Sequence, residues 1–185
     1  MHHSLFSENL KKLGFDIRDI DYGVLSHAHY DHANGMPKFF AENSKAKFYL
    51  REGSAENCYH KKPLFGKFFN IRFYIGLPRN LLKKFPDRIE FVSGDYKLFD
   101  GAYLIPHKSG DLSSIGRREN MFLRTKSGWL PDNFSHEQSL VIETEKGLVI
   151  VNSCSHGGAV NIIREMNYRG PRPAVSMELF PKIKF

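Results

Sequence analysis

A dense group of metal-ligand side chains lies in the segment Val24–His32 and limits which folds are open to this chain. Three imidazoles and a carboxylate fall within six residues, directly after a short apolar run. Alternate side chains of an extended segment point to one side, so His27 and His29 can bind one ion from the same face. Asp31 and His32 follow where a helix is expected to begin, and they point towards a second ion. The spacing therefore predicts a binuclear metal site.

The mixture of donors limits the choice of metal. Neutral imidazoles combined with carboxylate oxygens suit zinc, iron or manganese, whereas calcium and magnesium prefer shells made of oxygen alone. We expect two divalent ions, with zinc favoured and iron or manganese as alternatives. A histidine-rich surface loop is the competing interpretation, and we assign it instead to His2 and His3 at the N-terminus.

Length and composition indicate one soluble domain. The chain has 185 residues, of which 41% are hydrophobic. No apolar run approaches the 18 residues or so of a membrane span, and no secretory signal precedes the first motif. Cys58 and Cys154 are too few for a disulfide framework, so we expect a cytoplasmic protein without membrane contact.

The charge is positive and unevenly distributed. A net charge of +7 favours an anionic partner, which we expect to be a small-molecule substrate, with nucleic acid as the alternative. Residues 58–88 contain a single acid, Asp87, and are rich in aromatic and basic residues. We predict that they form a basic aromatic insertion or lid over the substrate. An aromatic satellite core with a solvated basic face is the alternative. The basic residues are Lys61, Lys62, Lys67, Arg72, Arg79, Lys83, Lys84 and Arg88.

Periodicity predicts a mixture of helices and short strands. A helix is expected over Ser4–Gly14, and the helix that begins near Asp31 is expected to continue over Met36–Glu42. The stretch 111–129 is polar and predicts a loop. Strands are predicted at 22–26, 47–50, 89–92, 96–99 and 102–105, with hairpin turns at Gly94-Asp95 and Asp100-Gly101.

Further candidate site residues surround a predicted hairpin at 139–151, whose turn is at Lys146-Gly147. His136 precedes its first strand and His156 follows its second, so the two histidines lie at the open end and can converge. Both are candidates for the metal centre. His107 follows a strand end and is a candidate for substrate binding.

Gly157 and Gly158 come just before a predicted helix over 159–168. Glycines at a helix start leave backbone amides open, so a substrate phosphate could bind there. The alternative is that they only permit a tight turn.

The motif His-x-His-x-Asp-His after a strand resembles the signature of the metallo-β-lactamase fold superfamily. The segments Asp132–Leu140 and Asn152–Gly158 resemble later motifs of its dihydropterin synthase-like branch, and the resemblance runs from about Phe6 to Phe180. It implies an α/β fold, a four-layered αβ/βα sandwich with metals at the edge of two sheets. It also implies metal positions at His27, His29, Asp31, His32 and His156.

The chain departs from that branch at both ends. Relatives carry further strands and an Asp-Thr-Gly type segment ahead of the first helix, so we expect 1–185 to be a single, truncated domain lacking the N-terminal strands. Relatives place a last ligand in a Gly-Gly-Phe-His-Leu type segment. Here Val175–Phe180 occupies that place, and Glu178 is the candidate ligand.

The first functional hypothesis is a metal-dependent hydrolase that activates water against an anionic phosphate or carboxyl ester. Asp31 would bind metal and orient the attacking water, and His136 is the second candidate catalytic residue. The branch name suggests an alternative, a dihydropterin-type transferase of pterin cofactor biosynthesis. A non-catalytic module that binds metal or nucleic acid is the third hypothesis. An exposed sheet edge would also permit a homo-oligomer.

Overall fold

The computed structural model describes residues 5–64, 69–166 and 174–179, the last of these by backbone alone. His2 and His3 lie outside the described residues. The helices are α1 (Leu5–Lys12), α2 (Tyr30–Ala33), α3 (Met36–Glu42), α4 (Leu81–Lys84), α5 (Leu112–Arg118) and α6 (Ala159–Met166). The strands are β1 (Tyr22–Val24), β2 (Lys47–Arg51), β3 (Cys58–Leu64), β4 (Phe69–Tyr74), β5 (Ile89–Val92), β6 (Tyr96–Phe99), β7 (Ala102–Pro106), β8 (Met121–Thr125), β9 (Gly128–Pro131), β10 (Gln138–Thr144), β11 (Gly147–Asn152) and β12 (Ala174–Leu179).

The described strands form three sheets. The first is parallel, in the order β1-β2-β5, and the second is mixed, in the order β12-β11-β10-β7-β6. The third is antiparallel, in the order β4-β3-β8-β9. The predicted α/β class is confirmed. None of the helices in the described parts of the chain has the length and apolar character needed to cross a lipid bilayer.

Close packing in the first sheet sets the path of the metal-ligand segment. Gly23 pairs with Phe48, and a β-carbon at Gly23 would lie 2.5 Å from the Phe48 ring. Only glycine lets the ring cover this strand. The amide of Leu25 then donates to the carbonyl of Tyr49 at 3.2 Å, so pairing with β2 continues to the start of the histidine motif.

Two apolar clusters anchor the described chain. The larger one includes Leu25, which precedes the histidines of the first motif, and Ala28, which lies between His27 and His29, together with Phe39 and Leu50. The smaller one lies under the second sheet and consists of Ile105, Val141, Ile150, Ile162 and Met166. Because Ala28 is buried in this core between His27 and His29, core packing fixes the backbone of the motif.

The sequence predictions were correct for most elements. The hairpin at Asp100-Gly101 is present, as are strands at all five predicted positions. The hairpin predicted to turn at Lys146-Gly147 is present with its turn one residue earlier, because Gly147 already pairs with Thr144. The predicted helix from 31 to 42 is wrong in one respect, since Asn34 and Gly35 separate α2 from α3. Pro37 lies in the first turn of α3, where its missing N–H costs no helical hydrogen bond, so it favours a new helix start.

Two other predictions were wrong. The stretch 111–129 is not a loop, because it contains α5, β8 and the start of β9. Gly94-Asp95 does not form a hairpin, because β5 pairs with β2 in the first sheet and β6 pairs with β7 in the second. A local turn signal indicates where the chain turns but not which strand it pairs with afterwards.

Asn43 joins three segments beneath the first sheet. Its side chain is completely buried, and Nδ2 donates to the carbonyls of Ile17 at 2.7 Å and Ile20 at 2.8 Å. Oδ1 accepts from the amides of Lys45 at 2.9 Å and Ala46 at 2.7 Å. All four hydrogen-bonding positions of this amide are therefore used.

Replacing Asn43 with alanine should lower the free energy of unfolding by about 3 kcal/mol, because buried backbone groups lose their partners. Urea denaturation followed by circular dichroism measures the change. Asn70→Ala is the matched control, since Asn70 is exposed on β4, and it should change stability by less than about 0.5 kcal/mol. Equal stability of the two variants would contradict the role given to Asn43.

Candidate metal centre

The first motif forms the floor of the site. His27 has no exposed surface and His29 is 4% exposed, although both are polar. His29 keeps an extended backbone with φ −95° and ψ 148° immediately before α2. The alternation predicted from the sequence is therefore present, with Ala28 in the core between the two histidines.

Histidines from distant parts of the chain meet around His27. Its ring centroid lies 4.1 Å from that of His32, 4.7 Å from His29 and 5.3 Å from His156. The His136 ring lies 5.1 Å from that of His29. The hairpin β10–β11, with Leu140 opposite Val151, brings His136 and His156 to the same end of the sheet. We call these five histidines the imidazole cluster.

Two buried ring nitrogens of the imidazole cluster have no hydrogen-bond partner, Nε2 of His27 and Nε2 of His156. Nδ1 of His27 lies 3.1 Å from the hydroxyl oxygen of Ser26. In the tautomer whose Nδ1 donates to that oxygen, the lone pair of the ring is on Nε2. A buried polar atom without a partner is costly unless something binds it. Nitrogen lone pairs that converge in this way fit a divalent transition-metal ion.

Two groups of donor atoms extend the cluster towards solvent. His27 with Asp31 and His32, and His27 with Cys154 and His156, each have their ligand atoms within 4.8 Å of one another. The Asp31 side chain is 41% exposed and His32 is 20% exposed, so this side of the site is open. Cys154 was not among the predicted ligands, although its position two residues before His156 was a usable signal.

The pKa values of His27 and His32 are shifted in opposite directions. Burial, reinforced by the neighbouring imidazoles, holds the pKa of His27 well below its usual range, so this ring is neutral and able to bind metal. Burial also opposes protonation of His32, but the hydrogen bond with Asp31 outweighs it and raises the pKa of His32 to about 9.

A third group of donors is fully enclosed. The side chains of His29, Cys58, Asp132 and His136 are all buried, and their ligand atoms lie within 4.8 Å of one another. Oδ2 of Asp132 is 3.2 Å from Nε2 of His136 and 3.5 Å from Nε2 of His29. Sequence reasoning did not single out Asp132 or Cys58, because neither lies near the first motif along the chain.

His136 occupies a different environment from the one expected of a catalytic residue. It is 1% exposed, and its Nδ1 accepts a hydrogen bond from the amide of Ala28 at 3.2 Å. Since Nε2 faces Asp132, both ring nitrogens are engaged inside the protein. This position suits support of the other ligands better than contact with a substrate.

His107 contacts the buried carboxylate of Glu137, which also accepts a hydrogen bond from the backbone of His156. Glu137 has no exposed surface, and its Oε1 accepts the amide of His156 at 3.2 Å and lies 3.0 Å from Nε2 of His107. Burial opposes protonation of His107, but Glu137 and then Glu165 raise its pKa overall. Glu137 was also missed by sequence reasoning.

The two glycines predicted to bind a phosphate are engaged in local packing. A β-carbon at Gly157 would lie 2.9 Å from the His107 ring, and the amide of Gly158 donates to the carbonyl of Ser155 at 2.8 Å. These contacts favour the tight-turn alternative, and a role in substrate binding stays a prediction. Glu178 pairs with Val151 in β12, but its side chain lies outside the described residues.

A cavity of about 310 Å³ opens beside the imidazole cluster. Its wall includes His107 and Phe134, and the Phe134 ring stacks on His156 with centroids 4.3 Å apart. The cavity is therefore one residue away from a candidate ligand. Its other lining residues are Ser109, Asp111, Leu112, Ser113, Asn133 and Ser135.

Comparison with known proteins shows similarity in sequence and in fold. The family model of the metallo-beta-lactamase superfamily matches residues 2–151. The 7,8-dihydropterin-6-methyl-4-(beta-D-ribofuranosyl)-aminobenzene-5'-phosphate synthase of Methanocaldococcus jannaschii is 26% identical over 168 residues, covering 85% of this chain and 54% of that protein. The crystal structure of a metal-dependent hydrolase of the beta-lactamase superfamily is 26% identical with a TM-score of 0.68, covering 90% of this chain and 58% of that one. The chain thus spans somewhat more than half the length of these relatives.

Gly116 in α5 provides a test of how tightly Asp132 is held. A β-carbon there would lie 2.1 Å from the carbonyl oxygen of Asp132. In a helix, replacing glycine with alanine raises the free energy of unfolding by up to about 1 kcal/mol. Overpacking against fixed backbone lowers it by about 1–3 kcal/mol. We therefore expect Gly116→Ala to destabilise the protein by about 2 kcal/mol in urea denaturation.

Gly110→Ala serves as the control, because nothing lies within 4 Å of a β-carbon at that position. It should change the free energy of unfolding by less than about 0.5 kcal/mol. A stabilised Gly116→Ala variant would show that Asp132 moves freely.

Proposed function

The chain belongs to the metallo-β-lactamase superfamily, and on that premise we propose that it is a metal-dependent hydrolase acting on an anionic ester-type substrate at a binuclear centre. The observation that carries the proposal is the pair of buried, partnerless nitrogens, Nε2 of His27 and Nε2 of His156, within a cluster of five imidazoles. Similarity to a metal-dependent hydrolase supports the same reaction class.

Each metal position is proposed from the donors that lie together. His27 and His156, whose ligand atoms lie together with that of Cys154, would hold one cation, and the neighbouring ring of His29 is a further candidate for it. Asp31 and His32, which lie together with His27, would hold the other, with Glu178 as an additional candidate ligand. Nitrogen and carboxylate donors suit zinc, with iron or manganese as alternatives. Bound cations of this kind polarise a carbonyl or phosphoryl oxygen and lower the pKa of water.

Asp31 is the residue best placed to handle a proton. Burial would raise the pKa of its carboxyl, but the hydrogen bond with His32 lowers it, so the group is ionised at neutral pH. It is the exposed member of the first motif and faces the open side of the site. An ionised carboxylate there can accept the proton that an attacking water loses.

The anionic character of the substrate is inferred from the basic hairpin β3–β4. The amide of Tyr30, inside the first motif, donates to the carbonyl of Ile75 at 2.7 Å, which ties the end of this hairpin to the metal-ligand segment. Arg72 lies over the Trp129 ring with its guanidinium carbon 4.5 Å from the centroid. Basic and aromatic groups beside the site suit an anion with an organic part, which supports the lid predicted for 58–88. Residues 65–68 lie outside the described residues.

A pterin-type transferase is the second candidate. It is favoured by the 26% identity to a dihydropterin-aminobenzene phosphate synthase, although the chain covers 54% of that protein. The two reactions are separated by their products, since a hydrolase releases acid from phosphodiesters or lactones without a pterin. Formation of a coupled pterin product in the absence of ester hydrolysis would favour the transferase.

The compartment is proposed from the cysteines. Cys58 and Cys154 are both free thiols within candidate donor groups. Free thiols persist most readily in a reducing compartment, and the cytoplasm is the usual one, so we propose a cytoplasmic protein.

Purified protein should contain stoichiometric zinc, iron or manganese when its metal content is measured by mass spectrometry. A chelator should abolish hydrolysis of a panel of phosphodiesters and lactones, and adding the metal back should restore it. His27→Ala should lower kcat/KM by more than about 100-fold, because it removes a direct ligand rather than an outer partner. His60→Ala is the control, since His60 lies on β3 in none of the donor groups. Metal-free protein with equal activity in both variants would rule the proposal out.

A further inference from the structure

The third sheet carries an uncompensated excess of positive charge. Its strands β3, β4, β8 and β9 contain two lysines and two arginines and no aspartate or glutamate. Arg79, in the loop after β4, adds another cation. Within the described residues, no ion pair joins Arg72, Arg79 or Arg124 to a carboxylate. These guanidinium groups therefore lack a partner of opposite charge.

Side-chain alternation separates the two faces of this sheet. Cys58 lies on the side of the enclosed donor group, so Tyr59, the next residue, points to the other side. Residues directly opposite each other in a ladder share a face. Tyr59 is opposite Tyr74, and its ring lies 4.9 Å from that of Trp129, which is opposite Arg124. We define the arginine–aromatic face as Tyr59, Arg72, Tyr74, Arg79, Arg124 and Trp129.

Guanidinium groups lie on the aromatic rings of the arginine–aromatic face. The guanidinium carbon of Arg79 is 3.6 Å from the ring centroid of Tyr74, and that of Arg72 is 4.5 Å from the Trp129 centroid. Nη2 of Arg79 also donates to the Tyr59 hydroxyl at 3.3 Å. An arginine that is already held on a ring loses less side-chain freedom when it binds an anion. The arginines of this face are therefore preorganised for anion binding.

The arginine–aromatic face is open to solvent. Arg72, Arg79 and Arg124 are exposed, and Trp129 is 38% exposed. Tyr59 lies beneath them and is buried. A guanidinium that stacks on a ring through one side keeps its other side and its remaining N–H donors free. Cations and flat stacking surfaces are therefore offered together.

We propose that the arginine–aromatic face binds single-stranded nucleic acid. Phosphates would pair with the arginines, and bases would stack on the exposed ring of Trp129 and on the guanidinium planes. A polynucleotide matches this surface because negative charges and planar bases recur together along its chain. The proposal concerns a surface outside the donor groups of the metal centre and does not depend on the proposed function.

Other occupants match the arginine–aromatic face less well. A lipid bilayer needs protruding apolar side chains, but the exposed Phe69, Ile71 and Phe73 have the opposite alternation and lie on the Cys58 side. A second copy of the chain would bring like charges together, since the net charge is +7. An acidic peptide offers carboxylates without a series of planar rings.

The hairpin β3–β4 presents cations on both of its faces. Lys62 has the same alternation as Cys58, and its Nζ lies 5.8 Å from the ring centroid of Phe73. Positive charge on the side of the enclosed donors therefore stays available to the proposed anionic substrate. The arginine–aromatic face adds a second surface for anions.

Trp129 makes binding at this face directly measurable, because it is the single tryptophan of the chain. Titration of the full chain with oligothymidylate or oligouridylate of about 16 nucleotides should quench its fluorescence through base stacking. The affinity should also fall with salt. Three arginines and Lys61, which lies opposite Arg72, predict a slope of log affinity against log salt of about −3, since each contact with a single strand contributes about −0.7.

The double variant Arg72→Gln, Arg124→Gln tests the cations. Binding of a fluorescein-labelled oligothymidylate, followed by anisotropy, should weaken about 10- to 30-fold at about 0.1 M salt, and the salt slope should flatten by about 1.4. Lys11→Gln, Lys146→Gln is the matched control, since both lysines are exposed outside the third sheet and the charge change is the same. Because distant charges are screened, it should weaken binding by less than about twofold.

Trp129→Ala tests the stacking separately from the charge. It should weaken binding of the labelled oligothymidylate about 5-fold or more, because a stacked base loses its partner. The salt slope should stay at the wild-type value, since no cation is removed.

Several results would overturn the proposal. Wild-type protein that binds neither oligonucleotide would do so, and so would equal losses in the two double variants, which would assign the attraction to net charge alone. Unchanged affinity with lowered stability in Arg72→Gln, Arg124→Gln would show that the arginines only cover the rings. Equal displacement by polyglutamate of matched charge would indicate an acidic protein partner. Tighter binding to vesicles of phosphatidylserine and phosphatidylcholine would indicate a membrane.

Discussion

Crowding of five imidazole rings, three of them buried, and of two buried carboxylates beside an apolar core is the condition on which the rest of this structure depends. Asp132 and Glu137 have no exposed surface, and His27 and His136 have almost none. Such groups are tolerated in an interior only when hydrogen bonds or a bound ion satisfy them. Most of them are satisfied by one another. Nε2 of His27 and Nε2 of His156 have no partner and lie where a cation is proposed, and Oε2 of Glu137 also lacks a hydrogen bond.

One short segment, 132–138, supplies most of the support for this cluster. Asp132 and His136 hold the first motif, and Glu137 holds the backbone of His156. Gln138 donates from its side chain to the carbonyls of Leu25 and Tyr49, both at 2.9 Å. Its amide donates to the carbonyl of Ser26 at 2.8 Å. The segment is therefore a frame that joins the first sheet to the second across the site.

The open side of the site has a different composition. Asp31 and His32 are partly exposed, and the cavity lined by His107 and Phe134 lies next to His156. The proposed chemistry on a substrate would take place on this side, whereas the enclosed side would keep the ligands in place. The division explains why His136, which has an imidazole suited to acid–base chemistry, is better understood as part of the support.

Local sequence determined the first motif, the alternation that turns His27 and His29 to one face, and the hairpin that returns His156 to the end where His136 starts. These features depend on residues close together in the chain, and periodicity and turn residues report them. Only the tertiary structure decided that Cys58, Asp132 and Glu137 enter the site, that Gly94-Asp95 joins two sheets, and that Gly157 packs against the His107 ring. The physical reason is that a side chain's partners in a buried network come from distant segments. Which nitrogen of a histidine is free therefore depends on those partners and not on its neighbours in sequence.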